Sequence, residues 1–451
     1  MAIMNSRKPH VLAVPFAAQG HVKPLMKLSR QIAKRGIKVT FVNIESVHEK
    51  IVSAAKRSDE RDEDEEDNIV LTSIPDGIRS EDDRSNTFKL LESLRSTMPG
   101  FLTDLIERIN RSNGDEKISC VIADFTIGWI LETAQKMGAE PVVFCPASAA
   151  TLALMLHIPK LLEEGSLDEN GTVTRGETIS LLSNDLKIQK LFFDCSSRVQ
   201  KATHQTKLFL CNTSQELESS ACNLIPKLLP IGPLLNRNTP RSSSISCNFH
   251  PEDESSISWL SNKLSKSVIY VSFGSLAIFS QQQLDELALG LELSGWAFLW
   301  VVRSDLANGS SVVYPNGFLE RVSEFGKIVQ WAPQEKVLSH DSVGFFISHC
   351  GWNSTLEGLS NGVSFLCWPY FADQYHNQNY VCDKWGIGLR IDSDENGIRT
   401  RYEIKKKIDM LFCDDELKGN AMKMKEICEK SVGQGGSSYK NFEMFVDHLR
   451  K

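Results

Sequence analysis

No Cys-x-x-Cys pair occurs anywhere in the sequence, although it carries 11 cysteines in 451 residues. They stand singly in apolar runs such as Ser119-Cys120-Val121 and Phe144-Cys145. That excludes a disulfide framework and fits buried, reduced thiols of a cytoplasmic protein. No stretch approaches about 18 consecutive apolar residues, and the opening MAIMNSRKPH has no apolar leader core, so no stable membrane insertion is expected. Basic charge is not in excess: 50 Lys and Arg against 57 Asp and Glu leave a net charge of -7. That argues against nucleic acid or an anionic membrane surface as partner. There is no GxGxxG after a strand, no HExxH, no clustered cysteines and no solenoid repeat. What remains is an ordinary globular composition on a chain too long for one core, so two domains are expected.

The chain opens β-α-β: an apolar run at 10–16, an amphipathic helix at 22–36 and a strand at 38–43, with Ala17-Ala18-Gln19-Gly20-His21 between the first two. A parallel pair follows from that order. Residues 57–67 are nearly all charged and read as a solvated loop; Asp62-Glu63-Asp64 there formally matches a DxD metal motif, but a metal role is not expected in such a run. A helix at 88–110 leads to a strand at 118–123 that ends at Asp124, then a helix at 127–137 and a strand at 141–145. Ligands collect at the carboxyl ends of parallel strands, so His21 and Asp124 fall on one rim. Each also has a plain structural reading, as a helix-start cap or an N-cap. A helix at 152–164 contains Pro159, which should break or kink it.

A Ser-, Asn- and Pro-rich stretch at 236–256 is the best linker. Beyond it lie a strand at 267–272 with the turn Phe273-Gly274-Ser275, a helix at 281–293 and strands at 297–302 and 327–330. Late helices are expected at 400–412, opened by a Thr400/Glu403 capping box, at 417–432 and at 439–451.

The densest chemistry lies in residues 331–374, from Trp331 to Gln374. A buried strand at 343–347 runs into Ser348-His349-Cys350-Gly351-Trp352, and Asn353 or Ser354 then caps a helix. Strand, glycine turn and helix N-terminus together make an anion site, because free N–H groups and the helix dipole converge. His349, Asn353 and Ser354 are placed to hold a diphosphate. Glu357, one turn on, suits ribose hydroxyls. Trp331, before a helix at 334–340, offers a flat face to a base, and Asp373 and Gln374, just past the strand at 363–367, suit sugar hydroxyls. Taken singly, Trp331 reads as core filler, Glu357 as a solvated helix charge and His349 as a strand-end histidine.

In length and order this block, with its W-A-P-Q start, H-C-G-W-N-S centre and D-Q end, resembles the signature box of plant family 1 UDP-glycosyltransferases, and the surrounding stretches look most like plant family 83. The resemblance covers nearly the whole chain. It implies an α/β GT-B fold of two Rossmann-like domains with a cleft between them. The expected division is an acceptor domain at 1–240, a linker at 241–256, a UDP-sugar domain at 257–435 and a helix at 436–451 packing back on the first domain. It implies a monomeric inverting enzyme taking UDP-glucose to a small lipophilic acceptor, with no cofactor and no metal. His21 becomes the general base and Asp124 its orienter; Ser275, Trp331, Ala332, Gln334, His349, Trp352, Asn353, Ser354, Glu357, Asp373 and Gln374 become donor contacts. The apolar Phe16, Phe125, Trp129 and Phe371 suggest an acceptor wall. Around Leu182-Ser183-Asn184-Asp185-Leu186 the chain looks shortened, which leaves the acceptor open. A Rossmann oxidoreductase and an inactive nucleotide-sugar binder remain the rival readings. Glutamine at the end of the box is associated with glucose users, so UDP-glucose over UDP-galactose is expected.

Overall fold

The computed structural model describes residues 8–55, 68–78, 87–112, 116–168, 193, 196–200, 206–235, 248–303, 306 and 312–451. Asp62-Glu63-Asp64 and the 182–186 stretch lie outside the described residues. The chain divides into two compact units. Among the described residues the first takes in those up to 168, from 193 to 251 and from 431 onward, and the second takes in 252–430.

In the first unit the strands are β1 (His10–Val14), β2 (Lys38–Ile44), β3 (Ile69–Ile74), β4 (Cys120–Asp124), β5 (Glu140–Cys145), β6 (Leu208–Cys211) and β7 (Leu228–Pro230). They form one sheet in the order β3-β2-β1-β4-β5-β6-β7, and every pairing is parallel. Sequences such as HVLAV and CVIAD are apolar almost throughout because helices cover both faces of a parallel sheet. The helix after β1 starts at Gln19, three residues ahead of the apolar periodicity, so His21 lies in its first turn. The helix Ala149–Glu163 runs on through Pro159 and is not broken there. The absent N–H there removes a single backbone bond, and Ala149, Leu152, Met155 and Ile158 hold the helix down by burial. The last helix, Ser437–Leu449, buries Phe442, Phe445, Val446 and Leu449 within this unit. Ser438 Oγ donates to Gly232 O at 2.6 Å and His448 Nε2 pairs with Glu140 at 2.8 Å.

In the second unit β8 (Val268–Ser272), β9 (Ala297–Val301), β10 (Gly326–Val329), β11 (Val343–Ser348), β12 (Ser364–Cys367) and β13 (Gly388–Arg390) give the order β10-β9-β8-β11-β12-β13, again parallel. Thr400 does cap the helix Arg401–Cys413, its hydroxyl accepting from Glu403 N at 3.4 Å. The carboxylate of Glu403 is spent on Lys406 and Lys407, so only half of the capping box forms. Both units are doubly wound sheets, the two-unit α/β architecture of the GT-B fold.

One buried carboxylate organises much of the first unit's carboxyl edge. Glu218 is 0% exposed and accepts from Ala149 N at 2.8 Å, Ala150 N at 3.0 Å and Thr213 Oγ1 at 2.6 Å. It caps the helix Ala149–Glu163 from outside it. Glu218→Ala should lower stability by about 2–4 kcal/mol, since charged hydrogen bonds and a helix cap are lost together. Glu218→Gln should recover part of that. A denaturant midpoint unchanged in Glu218→Ala would contradict this role.

Candidate active site

A doubly wound sheet gathers its functional side chains where the strand order reverses, at the carboxyl ends of the two strands flanking that point. In the first unit these strands are β1 and β4, and Val14 stands opposite Ala123. Residues just past them share one edge. His21 Nδ1 lies 2.8 Å from Asp124 Oδ2, while Asp124 Oδ1 accepts from Thr126 N at 2.9 Å. Asp124 is thus both the N-cap of the short turn Phe125–Ile127 and the partner of the imidazole. Its side chain is fully buried, whereas that of His21 is 26% exposed. A carboxylate only accepts, so Nδ1 carries the proton and the lone pair sits on Nε2. Phe16 meets the imidazole edge-on at 5.2 Å and Phe125 stacks on it at 6.2 Å. Trp129 is half-buried one turn further along, with the Arg198 guanidinium 5.6 Å from its ring centre. Phe371 belongs to the second unit, where its ring lies edge-on to Tyr370 with centres 5.8 Å apart.

In the second unit the reversal falls between β8 and β11, where Ser272 stands opposite Ser348. Gly274, at φ +68°, and Gly351 face the His349 ring. A Cβ on Gly274 would lie 2.7 Å from His349 Nε2, and one on Gly351 would lie 2.4 Å from it. Only hydrogen fits at either place. Burial, together with the nearby Arg303 cation, pulls the His349 pKa down to about 4 against a backbone contact to Ser272. The ring is therefore neutral at physiological pH and can act on an anion as an N–H donor. Cys350 completes the turn at φ +63°, a left-handed conformation seldom adopted by a residue with a side chain. Asn377 Nδ2 holds the Cys350 carbonyl at 2.9 Å. The helix begins at Trp352 with Gly351 as N-cap, so neither Asn353 nor Ser354 caps it; both lie in its first turn. Ser354 Oγ instead accepts from Gln334 Nε2 at 2.9 Å.

Gln334 links this turn to the acid behind it. Its Nε2 also donates to Glu357 Oε2 at 2.7 Å, and its Oε1 accepts from Tyr270 O–H at 3.2 Å. Glu357 is only 2% exposed, so it is not a solvated helix charge. Trp331 is half-buried and Ala332 buried just before Gln334, and Ser275 is half-buried after Gly274. Trp352 is buried against Trp385, with ring centres 6.3 Å apart. At the far end of the block Gln374 has its carboxamide oxygen engaged by its own loop. Its Oε1 accepts from Tyr370 N at 2.8 Å and Phe371 N at 3.0 Å, which leaves the amide N–H groups as the polar atoms it can offer. Asp373 Oδ2 accepts from Asn377 Nδ2 at 3.1 Å.

Arg303 escaped sequence reading because it looks like the polar end of a strand. It is 5% exposed and donates to Gly274 O and, at 2.9 Å, to Ala277 O, pinning the glycine turn after β8. A cation closing the apolar run Phe298-Leu299-Trp300-Val301-Val302 was the available signal.

An imidazole locked to a buried carboxylate in one doubly wound unit, and a glycine-walled turn at a helix start in the other, define a GT-B glycosyltransferase. Family models agree: residues 8–230 match the glycosyltransferase N-terminal domain, and residues 171–431 match UDP-glucoronosyl and UDP-glucosyl transferase. The chain is 41% identical to UDP-glycosyltransferase 83A1 of Arabidopsis thaliana over 98% of this chain and 97% of the relative. It is 32% identical to 7-deoxyloganetin glucosyltransferase of Catharanthus roseus over 99% and 97%. The crystal structure of Os79 from O. sativa in complex with UDP superposes with a TM-score of 0.82 at 26% identity, covering 97% of this chain and 100% of that one. The chain belongs to the plant family 1 UDP-glycosyltransferases.

Gly351 offers a clean perturbation of the anion turn. Gly351→Ala must displace the His349 ring, and it should weaken UDP binding by about tenfold or more, the value of one charged hydrogen bond. Displacing a buried ring should also lower unliganded stability by about 1–3 kcal/mol, so binding is measured at a temperature where the variant is folded. Calorimetric titration with UDP checks this, and an unchanged Kd would show that the ring does not serve the ligand.

Proposed function

We propose that this enzyme transfers glucose from UDP-glucose to a hydroxyl of a small lipophilic acceptor, such as a phenol, flavonoid or terpenoid alcohol, with inversion at the anomeric carbon. The observation that carries the reading is the 2.8 Å contact between His21 and the fully buried Asp124. An alcohol is a weak nucleophile while it keeps its proton, and a positioned base contributes about 10²–10⁴-fold. His21 Nε2 takes the acceptor proton as the acceptor oxygen bonds to C1 and the C1–O bond to UDP breaks. Asp124 holds the ring and stabilises the imidazolium that forms, the base-and-orienter logic of a serine hydrolase with the nucleophile supplied by substrate. Phe16 and Phe125 offer flat apolar faces beside the base; Trp129 and Phe371 are assigned to acceptor contacts as well.

On the donor side, diphosphate charge is assigned to the neutral His349 N–H, to Ser275 and to the start of the helix Trp352–Asn361, with Asn353 and Ser354 in its first turn. Glu357, oriented by Gln334, takes the ribose hydroxyls; Trp331 and Ala332 take the base, and Trp352 backs the helix start. The sugar falls to Asp373 and Gln374. Because the carboxamide oxygen of Gln374 is used by its own loop, Gln374 serves glucose as a donor through its amide N–H. A relative named as a glucosyltransferase supports glucose as the sugar. An axial 4-hydroxyl would leave part of this set unpaired, at about 1–3 kcal/mol, or roughly ten- to hundredfold in selectivity. No metal step is assigned.

His21→Ala should lower kcat with a weakly acidic alcohol by at least about 10²-fold while UDP affinity stays near wild type. Asp124→Asn should show a smaller loss. Near-normal turnover by His21→Ala would remove the base assignment. Competition between equal 13C6-labelled UDP-glucose and unlabelled UDP-galactose, with the heavy and light products separated by mass spectrometry, checks the donor: equal use would overturn it, and Gln374→Ala should lose most glucose transfer. Activity should survive EDTA, and a requirement for added Mn²⁺ would contradict the metal-free assignment.

A further inference from the structure

Three thiols gather beneath the loop that carries Asp373 and Gln374. Cys367 ends β12, Cys350 lies beside it in the glycine turn, and Cys382 lies in the π-helical turn Tyr380–Lys384. The Sγ atoms of Cys367 and Cys382 are 3.7 Å apart. Cys350 and Cys367 are fully buried, while Cys382 retains surface. Among the described residues no group of three or more His, Cys, Asp or Glu could hold a metal, so the cluster is left with thiol chemistry.

The frame around the pair is fixed from both sides. Arg390 stands opposite Cys367 in the β12–β13 register, and its guanidinium donates to Asn379 Oδ1 at 2.9 Å and to Asp383 Oδ1 at 2.6 Å. The turn bearing Cys382 is thereby tied to the strand beside Cys367. The contact with Cys367, and then the Arg390 and Lys407 cations, hold the Cys382 thiol below its ordinary pKa, against burial and Asp383. A thiolate-prone sulfur with surface access, touching a second thiol, is what an oxidant meets first.

We propose that Cys382 and Cys367 form a peroxide-driven disulfide that restrains the segment between them and weakens use of the UDP-sugar. The Cys382 thiolate attacks hydrogen peroxide, giving Cys382–SOH and releasing hydroxide, which takes a proton to leave as water. Cys367 then attacks that sulfur; its own proton departs with the sulfenic hydroxyl as a second water. Two thiols and one peroxide thus give one disulfide and two waters. Closing the pair from 3.7 Å to a bonded length requires a movement of about 1.7 Å, within reach of side-chain rotation and a small shift of the turn. The bond would close a loop whose interior holds Asp373 and Gln374, so the inference rests on their assignment to the donor sugar.

The test uses the full-length protein treated with stoichiometric hydrogen peroxide, alkylated and digested without reductant. A Cys367–Cys382 linked peptide is expected, reversible by dithiothreitol, with slower amide exchange in residues 368–381. The KM for UDP-glucose should rise roughly fivefold and return on reduction, a coupling of ordinary size. Cys382→Ser should give no linked peptide and a KM indifferent to peroxide. Absence of the link, a Cys350–Cys367 link in its place, or a formed link that leaves KM unmoved would each overturn the proposal. If the reduced protein does not use UDP-glucose at all, the proposed function fails, while the peptide map and amide exchange still decide whether the disulfide forms.

Discussion

Parallel pairing of β1 with β4, and of β8 with β11, is the constraint on which the chemistry rests. A parallel strand must be followed by a crossover, so each strand delivers its last residues to the same edge of the sheet. Where the order reverses, the two crossovers part to opposite faces and leave a gap at that edge. His21 and Asp124 occupy that gap in one unit, and Gly274 and His349 occupy it in the other. A slip of one residue in either pairing would turn Asp124 or His349 to the opposite face of its sheet.

The two histidines are set by different physics. His21 keeps some surface and owes its orientation to a carboxylate buried behind it, so it can gain a proton and have the charge stabilised. His349 is enclosed, neutral and flanked by an arginine, so it can offer a hydrogen bond without adding a charge of its own. The cost of this arrangement is visible in the backbone. Cys350 and Ala372, at φ +63° and +56°, both adopt the left-handed conformation, and each lies within two residues of an assigned donor contact, His349 for one and Asp373 and Gln374 for the other. The Asn377 side chain bonds the Cys350 carbonyl and the Asp373 carboxylate, tying the two strained turns together.

Much of this was legible in the residues because parallel strands announce themselves as short apolar runs, and because 331–374 carries its chemistry in one block. What escaped had weaker signals. β3 is half-exposed along Ile69–Ile74 and follows a charge run, so it lacks the continuous burial that marks its neighbours. β13 has only three residues, Gly388–Arg390. The helix start at Gln19 was hidden because Ala18 caps without a side-chain bond, and the cap at Gly351 was misread for the same reason. The double engagement of Gln374 Oε1 by Tyr370 N and Phe371 N depends on the path of a loop, which composition does not encode. Arg303 looks like the polar end of a strand, and its two carbonyl partners lie 26 to 29 positions away.

The central claim is that Asp124 fixes His21 as a base with its lone pair on Nε2. Nitrogen-15 correlation spectra of the histidine rings at neutral pH test this most directly, with the His21 signals assigned by their loss in His21→Ala. The account predicts a protonated Nδ1 and an unprotonated Nε2 on His21, with that preference lost in Asp124→Asn. A wild-type His21 carrying its proton on Nε2, with Nδ1 bare, would contradict it.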